Sequence, residues 1–327
     1  MSDTFQITLN TLQVLRARVE KGISKDLSTV LANAPDEIKA LVVKIGPLDG
    51  PLKAVRLRQL VQAIDRLIRE TETKLRETLK SGLVELGTAD ADILREPLGA
   101  MVDRDLHGPS PAVIAGVAAG FYLGITRSLV RAKAGLFQRF TSETPQSLDD
   151  AVGIVNAAFA SARMDLDRLT TTAATSVLTE VTTSLYQEAG IDTWRWDATL
   201  DSSTCLLCAE LDGHLIGFGV RQERPPRHIA CRCVLIPVLA DQPESGFTSP
   251  GAYERWLEDQ PEAVQKEILG PLRYKLFLAD RKKPGVRQGG LPLRLTVENN
   301  RIIPVSRLKT EWAALLALQE QAARRAG

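Results

Sequence analysis

Residues 189–201 read AGIDTWRWDATLD, and within them the spacing of the apolar residues changes. Trp194, Trp196, Ala198 and Leu200 alternate with Arg195, Asp197, Thr199 and Asp201. That period of two is a strand signal. Gly190 stands just before it, where a helix C-cap glycine belongs. Upstream the chain reads as helix almost throughout, and downstream it reads as a small α+β module. The expected fold is therefore mainly α, with long amphipathic helices followed by a domain with short strands.

The upstream helices show themselves by stripes. Phe5, Leu9, Leu12, Leu15 and Val19 recur at spacings of three and four, predicting a helix over 4–20. A second helix is expected over 24–45, interrupted near Pro35, before the breaker GPLDGP at 46–51. Leu57, Leu60, Val61, Ile64, Leu67, Ile68, Leu75 and Leu79 then form one stripe of a helix of some 30 residues, a rod on the order of 45 Å long. After HGPSP (107–111), Gly116, Gly120 and Gly124 recur every fourth residue in AVIAGVAAGFYLGI (112–125). A buried helix continuing to Phe140 is expected there. The apolar run is too short for a bilayer, which takes about 20 residues, so no stable membrane span is expected. Ser147 is placed to cap a last long helix over about 148–189, whose threonine-rich middle TTTAATSVLTEVTTS needs tertiary support.

Downstream, residues 205–233 hold all four cysteines and two of the three histidines. Cys205 and Cys208 form CxxC; His228 and Cys231 repeat the spacing as HxxC after a 19-residue insert. Two intervening residues let both side chains of a tight turn converge on one ion, and zinc takes four N or S ligands from two such pairs. Cys233 lies two residues past Cys231, so both face one side of an extended chain and either can be the fourth ligand. The leading set is Cys205, Cys208, His228 and Cys231, with Cys233 beside it, holding a structural zinc ion. Metal-free packing, disulfides such as Cys208–Cys231 and a redox CxxC are the alternatives. His214, after the Asp212–Gly213 turn, reads as a surface residue. Arg221, Arg224, Arg227 and Arg232 give the intervening loop enough positive charge for phosphate or acidic-patch contact.

CVLIPVL (233–239) reads as a second strand, AYERWLEDQPEAVQKEILG as two short helices meeting at Gln260–Pro261. LPLRLTVENNRIIPV reads as a hairpin turning at Asn299–Asn300, followed by a helix capped by Ser306. Residues 241–270 carry seven acids against two bases, and 271–327 twelve bases against four acids. A solvated face is the ordinary meaning of such asymmetry; contact with an acidic partner or packaged nucleic acid is the sharper one. Net charge is +1, hydrophobic content 44% and charged content 25%, ordinary for a globular protein and no argument for a nucleic-acid or membrane partner on bulk charge. No secretory signal opens the chain and cysteine is sparse, so a reducing compartment is expected. Neither a nucleophile elbow nor a Gly-rich phosphate loop is present, and no enzyme activity is expected.

The composite of Trp196, Asp197, Asp201, Thr204, Cys205, Cys208, Leu211, Asp212 and Gly213 with Pro225, Pro226, His228, Cys231, Arg232 and Cys233 resembles one family. Phage head morphogenesis proteins, the Mu F-like minor capsid family, carry this order over a stretch corresponding to about residues 120–280. The resemblance implies a minor head protein in several copies per particle, associated with the portal protein and major capsid protein at the portal vertex inside the head. It would reside in the virion, and in the host cytoplasm during assembly, and assist head assembly, DNA packaging or ejection. Packaged DNA could meet its basic C-terminal tail. The regions expected are 1–108, N-terminal helices; 109–190, the helical part of the head-morphogenesis domain; 191–240, the zinc-knuckle module; and 241–327, C-terminal helices, hairpin and basic tail. One departure stands out: where relatives carry Arg-Thr-Glu before the Trp strand, this chain has Arg168-Leu-Thr-Thr-Thr-Ala. The alternative function is a zinc-containing nucleic-acid-binding protein.

Overall fold

The computed structural model describes residues 3–45, 53–142, 148–217, 224–238, 252–281, 297–298 and 301–311, together with 313 and 317. Two compact units emerge. One comprises residues 2–189 with 228–231; the other comprises 190–227 with 232–327.

The first unit is helical: α1 (Asp3–Ile45), α2 (Lys53–Val102), α3 (Pro111–Ala119), α4 (Tyr122–Ser142) and α5 (Leu148–Glu188). Two of these helices are longer than their breakers suggest. α1 runs through Pro35 without interruption, because Ile23, Leu27, Leu31, Ala34 and Ile38 form one buried stripe across the proline. Packing of that stripe outweighs the hydrogen bond that Pro35 cannot make. α2 likewise continues past Gly87 and through Pro97, burying Leu83, Leu86, Ala91, Leu94 and Leu98. Gly87 is there for close approach rather than for stopping a helix. A Cβ at that position would lie 2.7 Å from a Val177 methyl carbon and 2.9 Å from Ile114 Cδ1.

The glycine-striped segment differs from expectation in the opposite sense. It is two helices with a break at Gly120–Phe121, and the three glycines do not share one packed face. Gly124 abuts Leu169, where a Cβ would come within 2.6 Å, while a Cβ on Gly116 would meet nothing within 4 Å. Within α3 only Ile114 and Ala118 are buried, and Val113 is 45% exposed. By length and apolar composition Pro111–Ser142 could cross a bilayer, with a mean hydropathy of 1.6 over its most apolar window. The HGPSP turn is tied down by Glu188, whose carboxylate accepts the N–H groups of His107 (2.6 Å) and Gly108 (2.9 Å). α5 contacts α1, α2, α3 and α4. Its threonines are supported as expected: Thr170, Thr175 and Thr182 are buried and donate to carbonyls four residues back. The Ser147 cap lies outside the described residues.

The second unit opens at Gly190, whose φ of 74° is the left-handed conformation a helix C-cap requires. β1 (Thr193–Asp197) is the central strand of an antiparallel sheet ordered β2–β1–β3, with β2 at Leu215–Gly217 and β3 at Val234–Pro237. Trp194 pairs with Ile216 on one side and Pro237 on the other, and Trp196 with Leu235. Both tryptophans are fully buried. Arg195 is buried too, so the expected polar face of this strand is covered. The alternation also ends early, since Leu200 lies beyond β1 and is exposed.

α6 (Leu206–Leu211) packs its Leu206 and Ala209 into a cluster with Tyr253, Leu257, Leu269, Tyr274 and Phe277. These come from α7 (Ala252–Glu258) and α8 (Glu262–Arg281), which part at Gln260–Pro261 as expected. Gln265 donates to the carbonyls of Leu257, Glu258 and Gln260 and so satisfies the end of α7. β4 (Val297–Glu298) pairs antiparallel with β5 (Arg301–Ile302), and the expected turn at Asn299–Asn300 lies outside the described residues. α9 (Val305–Glu311) starts one residue before Ser306, which therefore lies in the first turn rather than at the cap.

Two substitutions separate the roles of the glycines. Gly87→Val should cost about 1–3 kcal/mol through overpacking. Gly116→Ala should add roughly 0.5–1 kcal/mol by removing glycine's chain entropy from an exposed helix. Chemical unfolding of the full chain measures both.

Candidate metal centre

The first ligand pair is set by a short turn. Asp201 Oδ1 accepts the Ser203 N–H at 2.8 Å, and the Thr204 N–H donates to the Asp201 carbonyl at 3.1 Å. The Thr204 hydroxyl donates to the Thr199 carbonyl. This delivers Cys205 in an extended conformation immediately before α6. Its Sγ accepts the Cys208 N–H at 3.4 Å, so both CxxC sulfurs lie on one side of the first turn. Cys208 is buried and Cys205 half-buried.

The second pair rests on α5. His228 accepts the Cys231 N–H on its carbonyl at 3.2 Å, closing the HxxC turn. Ala230 within that turn has a φ of 62°, a left-handed conformation costing an ordinary residue roughly 1–2 kcal/mol. Two threonines of α5 hold it there. Thr172 Oγ1 accepts the Ala230 N–H at 2.8 Å, and the Thr175 hydroxyl donates to the Cys231 carbonyl. His228 Nδ1 lies 2.8 Å from the Ile229 carbonyl. A carbonyl only accepts, so Nδ1 carries the proton in that contact and Nε2 keeps a lone pair for an ion.

The five candidate ligands fall into two overlapping groups of three, and the leading four do not form a single group. The donor atoms of Cys205, Cys208 and His228 lie within 4.8 Å of one another, and so do those of Cys208, Cys231 and Cys233. Cys208 belongs to both groups. Sulfurs on a tetrahedral zinc ion stand roughly 3.8 Å apart, from Zn–S bonds of ~2.3 Å. Either group of three could hold a metal ion, and thiolate and imidazole donors are of the kinds that zinc takes. His214 is exposed and stands outside both groups.

Comparison with known proteins accords with this motif. Residues 144–236 match the family described as Phage Mu protein F like protein. This stretch of the chain is Mu F-like. It begins just before α5 and ends in β3, and so contains every candidate ligand. A curated protein of Haemophilus influenzae (strain ATCC 51907 / DSM 11121 / KW20 / Rd), itself described as uncharacterized, is 24% identical over 266 residues. That similarity covers 72% of this chain and 57% of the relative, so the chain spans less than two thirds of that protein's length. No solved structure matches the chain.

Several other residues of the Mu F-like motif have structural duties. Asp212, buried in the Leu-Asp-Gly turn, accepts the Ala198 N–H (2.9 Å) and the Tyr253 N–H (3.2 Å), joining β1 to α7. Gly213 has a φ of 78° and donates its N–H to Trp196. Arg232 makes a two-pronged ion pair with Asp201, Nη1 to Oδ2 at 2.6 Å and Nη2 to Oδ1 at 2.7 Å. Burial pushes the Asp201 carboxyl up, but Arg232, the Ser203 N–H and Thr204 together hold it below its usual value. The arginines of this loop are thus less available than their number suggests: Arg232 is paired and Arg224 stacks over Trp194 at 5.3 Å. Arg221 lies outside the described residues. Thr172, Thr175 and Thr199 were not legible as site residues; Thr172 and Thr175 stood only in a threonine run of a helix that such residues weaken, and Thr199 carried no signal.

Two measurements follow from these contacts. Asp212→Ala leaves two backbone N–H groups without their acceptor and should cost about 1–3 kcal/mol. Asp197 has its carboxyl pushed up to about 7 by burial and by Asp212, against the pull of Arg195. A folded-state value above the unfolded one means that stability is complete below the unfolded value and falls as pH rises through about 7. Thermal unfolding of Asp197→Asn should therefore exceed that of the wild type at pH 8 and converge with it near pH 4.

Proposed function

We propose that this chain is a non-enzymatic minor protein of a phage head. It associates with the portal and major capsid proteins at the portal vertex, inside the capsid, after residing in the host cytoplasm during assembly. There it assists head assembly, DNA packaging or ejection. The observation that carries this reading is the clustering of five Cys and His donors inside the Mu F-like stretch. Long helices joined to a small cross-linked module suit an assembly component better than a catalytic core.

The ion in this reading is a structural zinc. Cys205, Cys208, His228 and Cys231 hold it, with Cys233 in reach as an alternative fourth ligand. Zinc supplies a cross-link without redox chemistry, and four protein ligands leave no open position for water. The residues of the chain do the rest: Thr172 and Thr175 fix the HxxC turn, and the Ile229 carbonyl orients the His228 ring.

Elemental analysis of protein purified without added metal should give close to one zinc per chain. Cys205→Ser should lower the stability of the 190–238 module while leaving most of the far-ultraviolet helical signal. Affinity purification from infected or induced cells should recover the portal protein with this chain. Absence of the chain from procapsids and virions alike would sink the assembly role.

A further inference from the structure

The ion pair between Asp201 and Arg232 contains no ligand, yet each of its partners is joined to a ligand pair. Asp201 opens the turn that passes through Thr204 into Cys205 and Cys208. Arg232 stands between Cys231 and Cys233 just ahead of β3. The sulfurs of those two cysteines lie within 4.8 Å of each other and of the Cys208 sulfur. Holding Arg232 on Asp201 therefore holds both neighbouring cysteines beside the CxxC turn.

The contact is built for direction rather than for strength. Its side chains are 35% and 37% exposed, and pairs of that exposure add little to stability. Both prongs are made, however, which fixes the guanidinium in one plane and one orientation. A second tether runs beside it through the main chain: the Thr199 hydroxyl donates to the Arg232 carbonyl at 3.1 Å. The two ligand pairs are separated by a 19-residue insert, and an ion would otherwise have to close that loop itself.

We propose that Asp201, Arg232 and Thr199 form a positioning clamp that brings the CxxC turn and the Cys231–Cys233 segment within reach of one ion before the ion arrives. This rests on the metal reading above. The clamp keeps the thiols beside one another and lowers the ordering cost of metal capture. It touches no metal, so its removal changes affinity and leaves the ligand set alone.

The test uses the full chain stripped of metal and titrated with Co²⁺ against a chromophoric chelator. Arg232→Ala and Asp201→Asn should weaken cobalt binding by about ten- to a hundredfold. Arg232→Lys, which keeps the charge and loses the fork, should fall between them and the wild type. At saturation the visible bands of the tetrahedral ion should match those of the wild type, because the ligands are the same. Glu262→Gln, which breaks the Glu262–Lys266 pair on α8, serves as the control and should leave affinity unchanged. Cobalt affinities within about twofold of wild type in all three clamp variants would overturn the clamp.

A second arm needs no metal. Diamide takes two electrons and two protons from a pair of thiols, leaving one disulfide and the reduced hydrazine. In the metal-free wild type Cys208 should couple to Cys231 or Cys233, and Arg232→Ala should slow this by about tenfold through lost effective concentration. An unchanged rate rejects the clamp. If the wild type takes up no cobalt, the zinc reading falls and the coupling rate alone judges the clamp.

Discussion

α5 packs against all four other helices of its unit, and it also holds the turn that carries His228 and Cys231. The second task falls to its threonines. A threonine hydroxyl inside a helix can return to the carbonyl one turn back, which satisfies it without help from elsewhere. Thr172 does this toward Arg168 and still accepts the Ala230 N–H; Thr175 reaches both Thr171 and the Cys231 carbonyl. An aliphatic residue at either place would pack as well and leave a polar group of the turn without its partner. The cost in helix propensity, a few tenths of a kcal/mol per residue, is small beside an orphaned buried polar group at about 1–3 kcal/mol.

The module that follows meets a different limitation. A three-stranded sheet and a six-residue helix have little interior, so its turns are joined one to another by polar tethers as well as by packing. Asp212 links β1 to α7, Asp201 links the CxxC turn to the Cys-Arg-Cys segment, and Gly213 permits the turn between α6 and β2. Trp194 and Trp196 supply the apolar weight at the centre of the sheet. The conspicuous motif residues are thus of two kinds, those with donor atoms for an ion and those that aim them.

Much of the candidate site was legible from spacing. CxxC and HxxC separated by an insert state their chemistry, because two intervening residues place two ligands on one ion in any tight turn. The tethers were much less legible. Asp201 and Arg232 are 31 residues apart, and nothing in either neighbourhood names the other as its partner. The fourth-ligand ambiguity was also legible, and it persists for a physical reason: Cys231 and Cys233 both lie within 4.8 Å of Cys208.

By itself the sequence determined the order of elements: helices up to Gly190, a strand carrying two tryptophans, the ligand spacings, and two helices parting at Pro261. These follow from periodicity, caps and breakers, which act over one or two turns of chain. Tertiary structure decided where helices continue and what each glycine is for. Pro35 reads locally as an interruption, yet α1 runs through it because its buried stripe continues on both sides, and α2 runs through Gly87 and Pro97 in the same way. Gly120 reads locally as part of a packing stripe, yet it closes α3. A local signal of about 1–3 kcal/mol yields wherever side chains on either side of it bury more than that, and only the folded chain shows where they do.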